Sequence, residues 1–210
     1  MKSKVGSRST RHRLTAKQTG HMLGSLGVLG RPKDDFYETP EIATEKLLEV
    51  EEFLGSIWEP ACGAGGIARV LRCKGYNVVA TDLYPHGFGR SLPLDFLSIK
   101  FQDAHRIRFD NIITNPPYSL ALEFAEQATS LARLRRGKVA MLLRLAWLEG
   151  KKRKDFFKMS RLARVWVFSS RLPRMHRPGW KGKKSSSMIA FAWFVWDYSR
   201  RTRRTRIGWL

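Results

Sequence analysis

The sequence is poor in cysteine. Its 210 residues hold only Cys62 and Cys73, which excludes a disulfide framework and any cysteine-rich zinc module. So little cysteine suits a reducing, cytoplasmic setting. Long apolar runs are missing too, and nothing approaches the ~20 residues of a membrane span. The one apolar stretch near the N-terminus, residues 22–29, is short and interrupted by Gly24 and Gly27, which does not suit the core of a secretory signal. Acidic side chains are scarce, with 18 Asp and Glu against 39 Lys and Arg and a net charge of +21. That balance excludes a cation-binding role for the surface as a whole and calls for a polyanionic partner, most simply nucleic acid. A ribosome-bound or membrane-surface protein would satisfy the same charge. No internal repeat is present, so a solenoid is excluded. The sequence does contain material for a core: it is 43% hydrophobic, with seven Trp and twelve Phe, enough for one packed domain.

The charge is divided along the chain. Residues 1–33 carry eight bases and no acid, and residues 34–130 carry fifteen acids against eight bases. Residues 131–184 reverse this with eighteen bases against two acids, and residues 200–206 add five Arg. The division suggests a ligand site in the acidic half and a nucleic-acid surface in the basic half. Residues 1–33 read as a disordered basic arm, residues 34–198 as the folded domain, and residues 199–210 as a basic tail. Within the domain, residues 148–187 are crowded with Lys, Arg, Gly and Pro and read as a basic insertion.

Short apolar segments alternate with helical patterns from residue 34 onward. Thr39-Pro40-Glu41 has the form of a helix start, with Thr39 as N-cap and Pro40 in the first turn. Strands are expected at residues 56–58, 77–81, 110–114, 138–143, 165–168 and 189–196, and helices at 67–73 and 120–134. Strands buried on both faces and separated by helices imply an α/β fold, Rossmann-like, with a mainly parallel sheet covered on both sides. The strand rich in Trp193 and Trp196 reads as core.

Two turns carry the chemistry. Glu59-Pro60-Ala61-Cys62-Gly63-Ala64-Gly65-Gly66 joins an expected strand to an expected helix. Glycine there permits a sharp turn and a close ligand approach, which makes a crevice at the strand's carboxyl end. The turn is not a P-loop, since no Gly-Lys-Ser/Thr follows. Asp82 closes the next strand, where a carboxylate accepts hydrogen bonds from a ribose diol. The second turn, Asn115-Pro116-Pro117-Tyr118, follows the apolar Ile112-Ile113. Its prolines fix φ and aim an amide, a carbonyl and an aromatic ring at one place. Asn115 Oδ1 and the Pro116 carbonyl suit two hydrogen bonds from an exocyclic base amine, drawing its lone pair toward nitrogen, and Tyr118 suits stacking on an extruded base.

These two turns, in this order, resemble the class I methyltransferases that use S-adenosylmethionine (SAM). The Asn-Pro-Pro-Tyr tetrapeptide is similar to the signature of enzymes that methylate amino groups in DNA, in RNA or on protein glutamine. Upstream, Tyr37-Glu38-Thr39-Pro40 resembles the Tyr-x-Thr-Pro block of DNA N6-adenine methyltransferases, in particular the small ones of phages and prophages. The likeness covers residues 34–198 and is densest over 34–120. It implies SAM binding by Tyr37, Thr39, Pro40, Glu59, Pro60, Ala61, Gly63, Gly65, Asp82, Asp95 and Phe96, with Phe96 packing on the adenine ring, and catalysis by Asn115, Pro116, Pro117 and Tyr118. It requires no metal. One departure is that many DNA adenine enzymes begin the tetrapeptide with Asp, whereas this chain has Asn115. RNA and glutamine enzymes keep the same site, and a catalytically silent nucleic-acid-binding protein could keep the same fold.

The basic half supplies expected DNA or RNA contacts at Lys151, Lys152, Arg153, Lys154, Arg174, Arg177, Lys181, Lys183 and Lys184. Arg171, His176 and Trp180 interleave with them. These cations would neutralise phosphates and make binding salt-dependent. Residues 145–150, from Leu145 to Gly150, either line the target-base pocket or end a core strand.

Overall fold

The computed structural model describes residues 37–84, 86–173, 187–201 and 204–210. The chain divides into two units, residues 1–31 and 32–210, and every described residue lies in the second. The expected basic arm therefore falls outside the described residues, as do Arg174, His176, Arg177, Trp180, Lys181, Lys183 and Lys184.

Strands β1 (Ile57–Glu59), β2 (Val78–Asp82), β3 (Leu92–Pro93), β4 (Asn111–Thr114) and β5 (Lys138–Arg144) run parallel. Strand β7 (Phe191–Asp197) is inserted antiparallel between β5 and β6 (Leu162–Val167), and β8 (Arg206–Trp209) lies parallel beside β6. The order across the sheet is β3-β2-β1-β4-β5-β7-β6-β8. The four described helices are α1 (Glu41–Val50), α2 (Gly66–Cys73), α3 (Ala121–Arg135) and α4 (Lys154–Ser160).

Side chains alternate between the two sheet faces, and the two cores follow from that. Ile113, Ala140 and Leu142 face α1 and α2, where they meet Leu47, Ile67 and Leu71. Ile112, Val139, Met141 and Leu143 face α3 and α4, where they meet Phe124, Leu131 and Phe156. This is the α/β arrangement with helices on both faces that the strand–helix alternation implied. Among the described residues no helix is long and apolar enough to cross a membrane.

Two features differ from the sequence expectation, and a third decides between alternatives that it left open. The N-cap of α1 is Pro40, with no side-chain cap, and the Thr39 hydroxyl accepts from Asn115. The C-terminal stretch is more than a tail, since β8 adds a strand to the sheet. The block from Leu145 to Gly150 opens with a 3-10 turn, Leu145–Leu148, and its Trp147 packs edge-on against Phe194 and Trp196 in the core.

The fold is closed at the end of the sheet where β5 begins by a buried ionic cluster. Glu51, at the C-cap of α1, has a side chain only 2% exposed. It accepts hydrogen bonds from Lys138 Nζ (3.0 Å), from Trp166 Nε1 (2.9 Å) and from the Arg164 guanidinium. Arg164 also donates to Asp197 Oδ2 at 2.8 Å. Burial alone would raise the Asp197 pKa, but the hydrogen bonds from Ser199 and Arg164 and the charges of Lys138 and Arg164 hold it below the usual carboxylate value.

Candidate active site

Sheet order runs outward in both directions from β1 and β4, which creates a crevice at the carboxyl ends of the strands. A cavity of about 300 Å³ occupies that position, at the lower end of the range for small-molecule sites. Four separate segments line it: Tyr37 to Thr39, the turn after β1, the residues from Asp82 to Leu97, and the run from Asn115 to Leu120. Of the residues expected to bind a cofactor, Tyr37, Thr39, Pro60, Ala61, Asp82, Asp95 and Phe96 line the cavity. Pro40, Glu59, Gly63 and Gly65 are not among its lining residues.

The Gly-rich turn is shaped from beneath. Gly63 and Gly65 have φ of 52° and 84°, a region closed to most L-residues. A Cβ on Gly65 would strike the Phe88 ring, and one on Gly66 would strike the Thr39 carbonyl oxygen. The turn can therefore seat the Tyr37–Thr39 segment directly against its backbone. Asp82 braces the other side: its Oδ2 accepts from the Gly63 amide at 2.8 Å and its Oδ1 from the Tyr84 amide at 3.0 Å. His86 Nε2 stands 3.7 Å from the same Oδ1. The carboxylate thus holds the turn and still borders the cavity.

Glu59 is 1% exposed at the end of β1. Burial pushes its carboxyl well above the unperturbed 4.5; the Ala68 amide opposes this, the Asp82 charge adds to it, and Arg72 and Arg69 pull it down. The native state therefore holds a proton that the unfolded chain releases above pH 4.5. The stabilisation from that proton is complete below 4.5 and is lost as the pH climbs through the folded value. Glu59→Gln, which stays neutral, should be more stable than wild type at pH 8, with the advantage shrinking toward pH 5 in urea melts. An advantage that grows toward pH 5 would contradict the proposed protonation. The neighbouring Cys62 thiol is pushed up to about 12, by burial first and then by Glu59 and Asp82. It is a packing residue and no nucleophile.

The second turn is held by the first segment. Asn115 Nδ2 donates to Thr39 Oγ1 at 3.0 Å and toward the Tyr37 carbonyl at 3.4 Å. Those two bonds use the amide's hydrogens and define its orientation, which makes Oδ1 the accepting end of the side chain. A carboxylate has no hydrogen for the Tyr37 carbonyl, which gives Asn a physical advantage here over Asp. After Pro117 the chain enters a 3-10 turn, Tyr118–Leu120, with the Leu120 amide on the Pro117 carbonyl at 3.0 Å. The Tyr118 ring borders the cavity, and its neighbours include Tyr37 (6.0 Å between centroids, planes 23° apart), Phe191 (6.0 Å) and the Arg144 guanidinium (5.1 Å).

Two expectations are corrected by packing. The Phe96 ring is 2% exposed, wedged between Trp58 (5.1 Å) and Phe124 (4.9 Å), so it meets the cavity as part of the packed wall and not as a free stacking ring. Arg153 does not project to a phosphate: its Nε donates to the Trp147 carbonyl at 2.8 Å, another nitrogen bonds the Glu149 carbonyl, and the guanidinium covers the Trp147 ring. Lys151, Lys152 and Lys154 beside it are exposed. Asp95 is exposed at the cavity rim and caps the 3-10 turn Phe96–Ser98 through the Leu97 amide. The sequence reading missed Arg144 and His86. Arg144 is the last residue of β5 and His86 lies just beyond β2, and a place at a strand's carboxyl end is the signal that could have found them.

No family model and no curated protein matches this sequence. Solved structures do match its fold. The M protein of the type I restriction enzyme EcoKI superposes with a TM-score of 0.53 at 15% identity, over 86% of this chain and 47% of that one. The chain therefore spans about half the length of that protein. A protein of Pyrococcus horikoshii described as a candidate RNA methyltransferase gives a TM-score of 0.53 at 15% identity, over 88% of this chain and 98% of that one. The chain has the class I methyltransferase fold.

Proposed function

We propose that this protein is a SAM-dependent methyltransferase acting on the N6 amino group of adenine in DNA. The observation that carries the reading is the meeting of four sequence-distant segments in one cavity, with the amide of Asn115 oriented from Thr39. The residues suit SAM. Asp82 offers a buried carboxylate to a ribose diol, and Leu83, Leu94 and Leu97 offer an apolar slot beside the Asp95 carboxylate. The turn from Pro60 to Cys62 offers backbone to a methionine group.

SAM, when bound, supplies a methyl group already activated by its sulfonium. The chain's own residues handle the amine. Asn115 Oδ1 and the Pro116 carbonyl accept from its two N–H groups, pulling the nitrogen lone pair out of the ring and toward the methyl group; as the nitrogen–carbon bond forms and the carbon–sulfur bond breaks, the amine gives up one of those protons, ultimately to water. Tyr118 holds the extruded base in plane, and no covalent intermediate with the enzyme is needed. The catalysis is positional and electrostatic.

Thr39 is a positioning residue in this reading. Thr39→Val keeps the shape and removes the acceptor for Asn115. One hydrogen bond of about 0.5–1.5 kcal/mol corresponds to a fall in kcat of roughly 2- to 13-fold, with KM for SAM little changed. Thr39→Ser should restore the rate, and a Val variant altered only in KM would argue against the positioning role.

The deciding experiment incubates the protein with labelled SAM and DNA, RNA and protein in parallel, followed by nucleoside analysis. N6-methyladenine in DNA is the expected product. Label confined to RNA or to glutamine would replace the substrate assignment, and no transfer to any of the three would remove the enzymatic one.

A further inference from the structure

The reaction uses only the end of the sheet where β1, β2 and β4 finish. At the opposite end α3 and α4 both stop, and both stop in the same uncommon way. The residue after α3 is Arg136, with φ of 53°, and the residue after α4 is Arg161, with φ of 57°. No other non-glycine residue among the described ones has a positive φ. The left-handed position after a helix favours glycine, because a Cβ there crowds the following carbonyl. A cation near a helix C-terminus does complement the dipole, but that benefit is available from neighbouring positions without the strain. Two arginines in this conformation stand at the same end of the sheet.

Tyr198 joins the two helix ends into one surface. Its amide donates to the Gly137 carbonyl at 2.9 Å and its hydroxyl to the Ser160 carbonyl at 2.6 Å. The Arg133 guanidinium lies 5.5 Å over its ring. Thr205, beyond β7, reaches the Leu162 carbonyl at 2.8 Å. On this face Arg136, Lys158, Arg161 and Arg200 are exposed; Arg133 and Arg135, also exposed, donate to the Met159 and Ala104 carbonyls and lie over the Tyr198 and Phe109 rings. Of the acids at this end, Asp197 is turned inward onto Arg164, Asp155 stands 3.8 Å from Lys158, Asp110 beside Gly137 accepts from Ser56, and Glu52 is exposed near Lys138. Strand β5, seven residues long, separates this face from the cavity end by about 20 Å at roughly 3.3 Å per residue.

We propose that this face is a second phosphate-binding surface, which holds nucleic-acid backbone remote from the methylated base. Guanidinium groups grip phosphate oxygens in pairs, and a contiguous cluster of them suits a polymer better than a single anion. The proposal shares with the functional reading only the choice of nucleic acid as partner, so its test reads binding without SAM.

The variant is Arg136→Gly with Arg161→Gly, which removes two cations and relieves both left-handed residues at once. Binding to a 40-bp fluorescent duplex is measured by anisotropy from 50 to 300 mM salt. A control of equal charge change, Lys74→Ala with Arg90→Ala, alters exposed residues on the α2 side. Each phosphate contact contributes about 0.9 to the slope of log K against log salt, so the glycine pair should lower that slope by about two while its melting temperature stays level or rises. The control should leave the slope unchanged. An unaltered slope in the glycine pair, an equal fall in the control, or wild-type binding to phosphatidylglycerol vesicles but not to the duplex would overturn the proposal. Methyl transfer to a 12-bp duplex, assayed alongside, reports on the cavity alone and separates failure of this surface from failure of the enzymatic reading.

Discussion

Asn115→Ala should lower methyl transfer from labelled SAM by roughly 10²- to 10³-fold, the usual consequence of removing a preorganised polar group from a site where charge develops. The variant loses the Oδ1 acceptor and, with it, both amide hydrogens that tie the turn to Thr39 and to the Tyr37 carbonyl. Pro116 and Pro117 keep the turn itself stiff, so the far-UV circular dichroism and the melting temperature should stay near those of wild type. Asn115→Asp separates the two roles. It keeps an oxygen acceptor but has no hydrogen for the Tyr37 carbonyl, and a smaller loss, about 10-fold for one hydrogen bond, is expected. Transfer at the wild-type rate by Asn115→Ala would place the chemistry elsewhere.

The largest expected effect on stability comes from the opposite end of the molecule. Glu51→Ala should destabilise the protein by about 3 kcal/mol, the lower part of the range for deleting one partner of a buried ion pair. Lys138, Arg164 and Trp166 would lose their common acceptor, and two cations would be left with Asp197 alone. The lower figure is chosen because Lys138 and Arg164 keep 17% and 22% side-chain exposure and so reach some water. For a chain of this size the corresponding fall in Tm is roughly 6–12 °C, measurable by calorimetry. A change under about 2 °C would show that the cluster contributes only a surface-type pair. Asp197 adds an acid limb of its own. Its folded pKa is depressed, so its contribution is present above its unfolded value of 3.8 and lost as the pH falls through the folded value. Asp197→Asn should flatten that limb.

Much of the site could be read in the sequence because its signals are local. Glycines in a strand-to-helix turn, an acid at a strand end and two prolines after Ile112-Ile113 declare their geometry within a few residues. What could not be read depends on distant partners. Nothing near Thr39 says that its hydroxyl serves Asn115, 76 residues away, in place of capping its own helix. Phe96 looked like a stacking ring because it follows Asp95, but Trp58 and Phe124 enclose it from elsewhere in the chain. Arg153 looked like part of a charge run, and the Trp147 carbonyl and ring absorb it. The same limit applies to the sheet: alternation of strands and helices revealed the parallel half, whereas the direction of β7 and its place between β5 and β6 are decided by pairing alone.

That placement governs how a nascent chain becomes a folded one. All seven residues of β7 are buried, and until they emerge from the ribosome β5 and β6 each present an open edge with no strand between them. Residues 139–143 would meanwhile offer a bare apolar ladder to any neighbouring chain, the kind of edge that seeds aggregation. Translation arrested before residue 191 would therefore release a fragment that contains the Gly-rich and Asn-Pro-Pro-Tyr turns, yet with a sheet split into two halves.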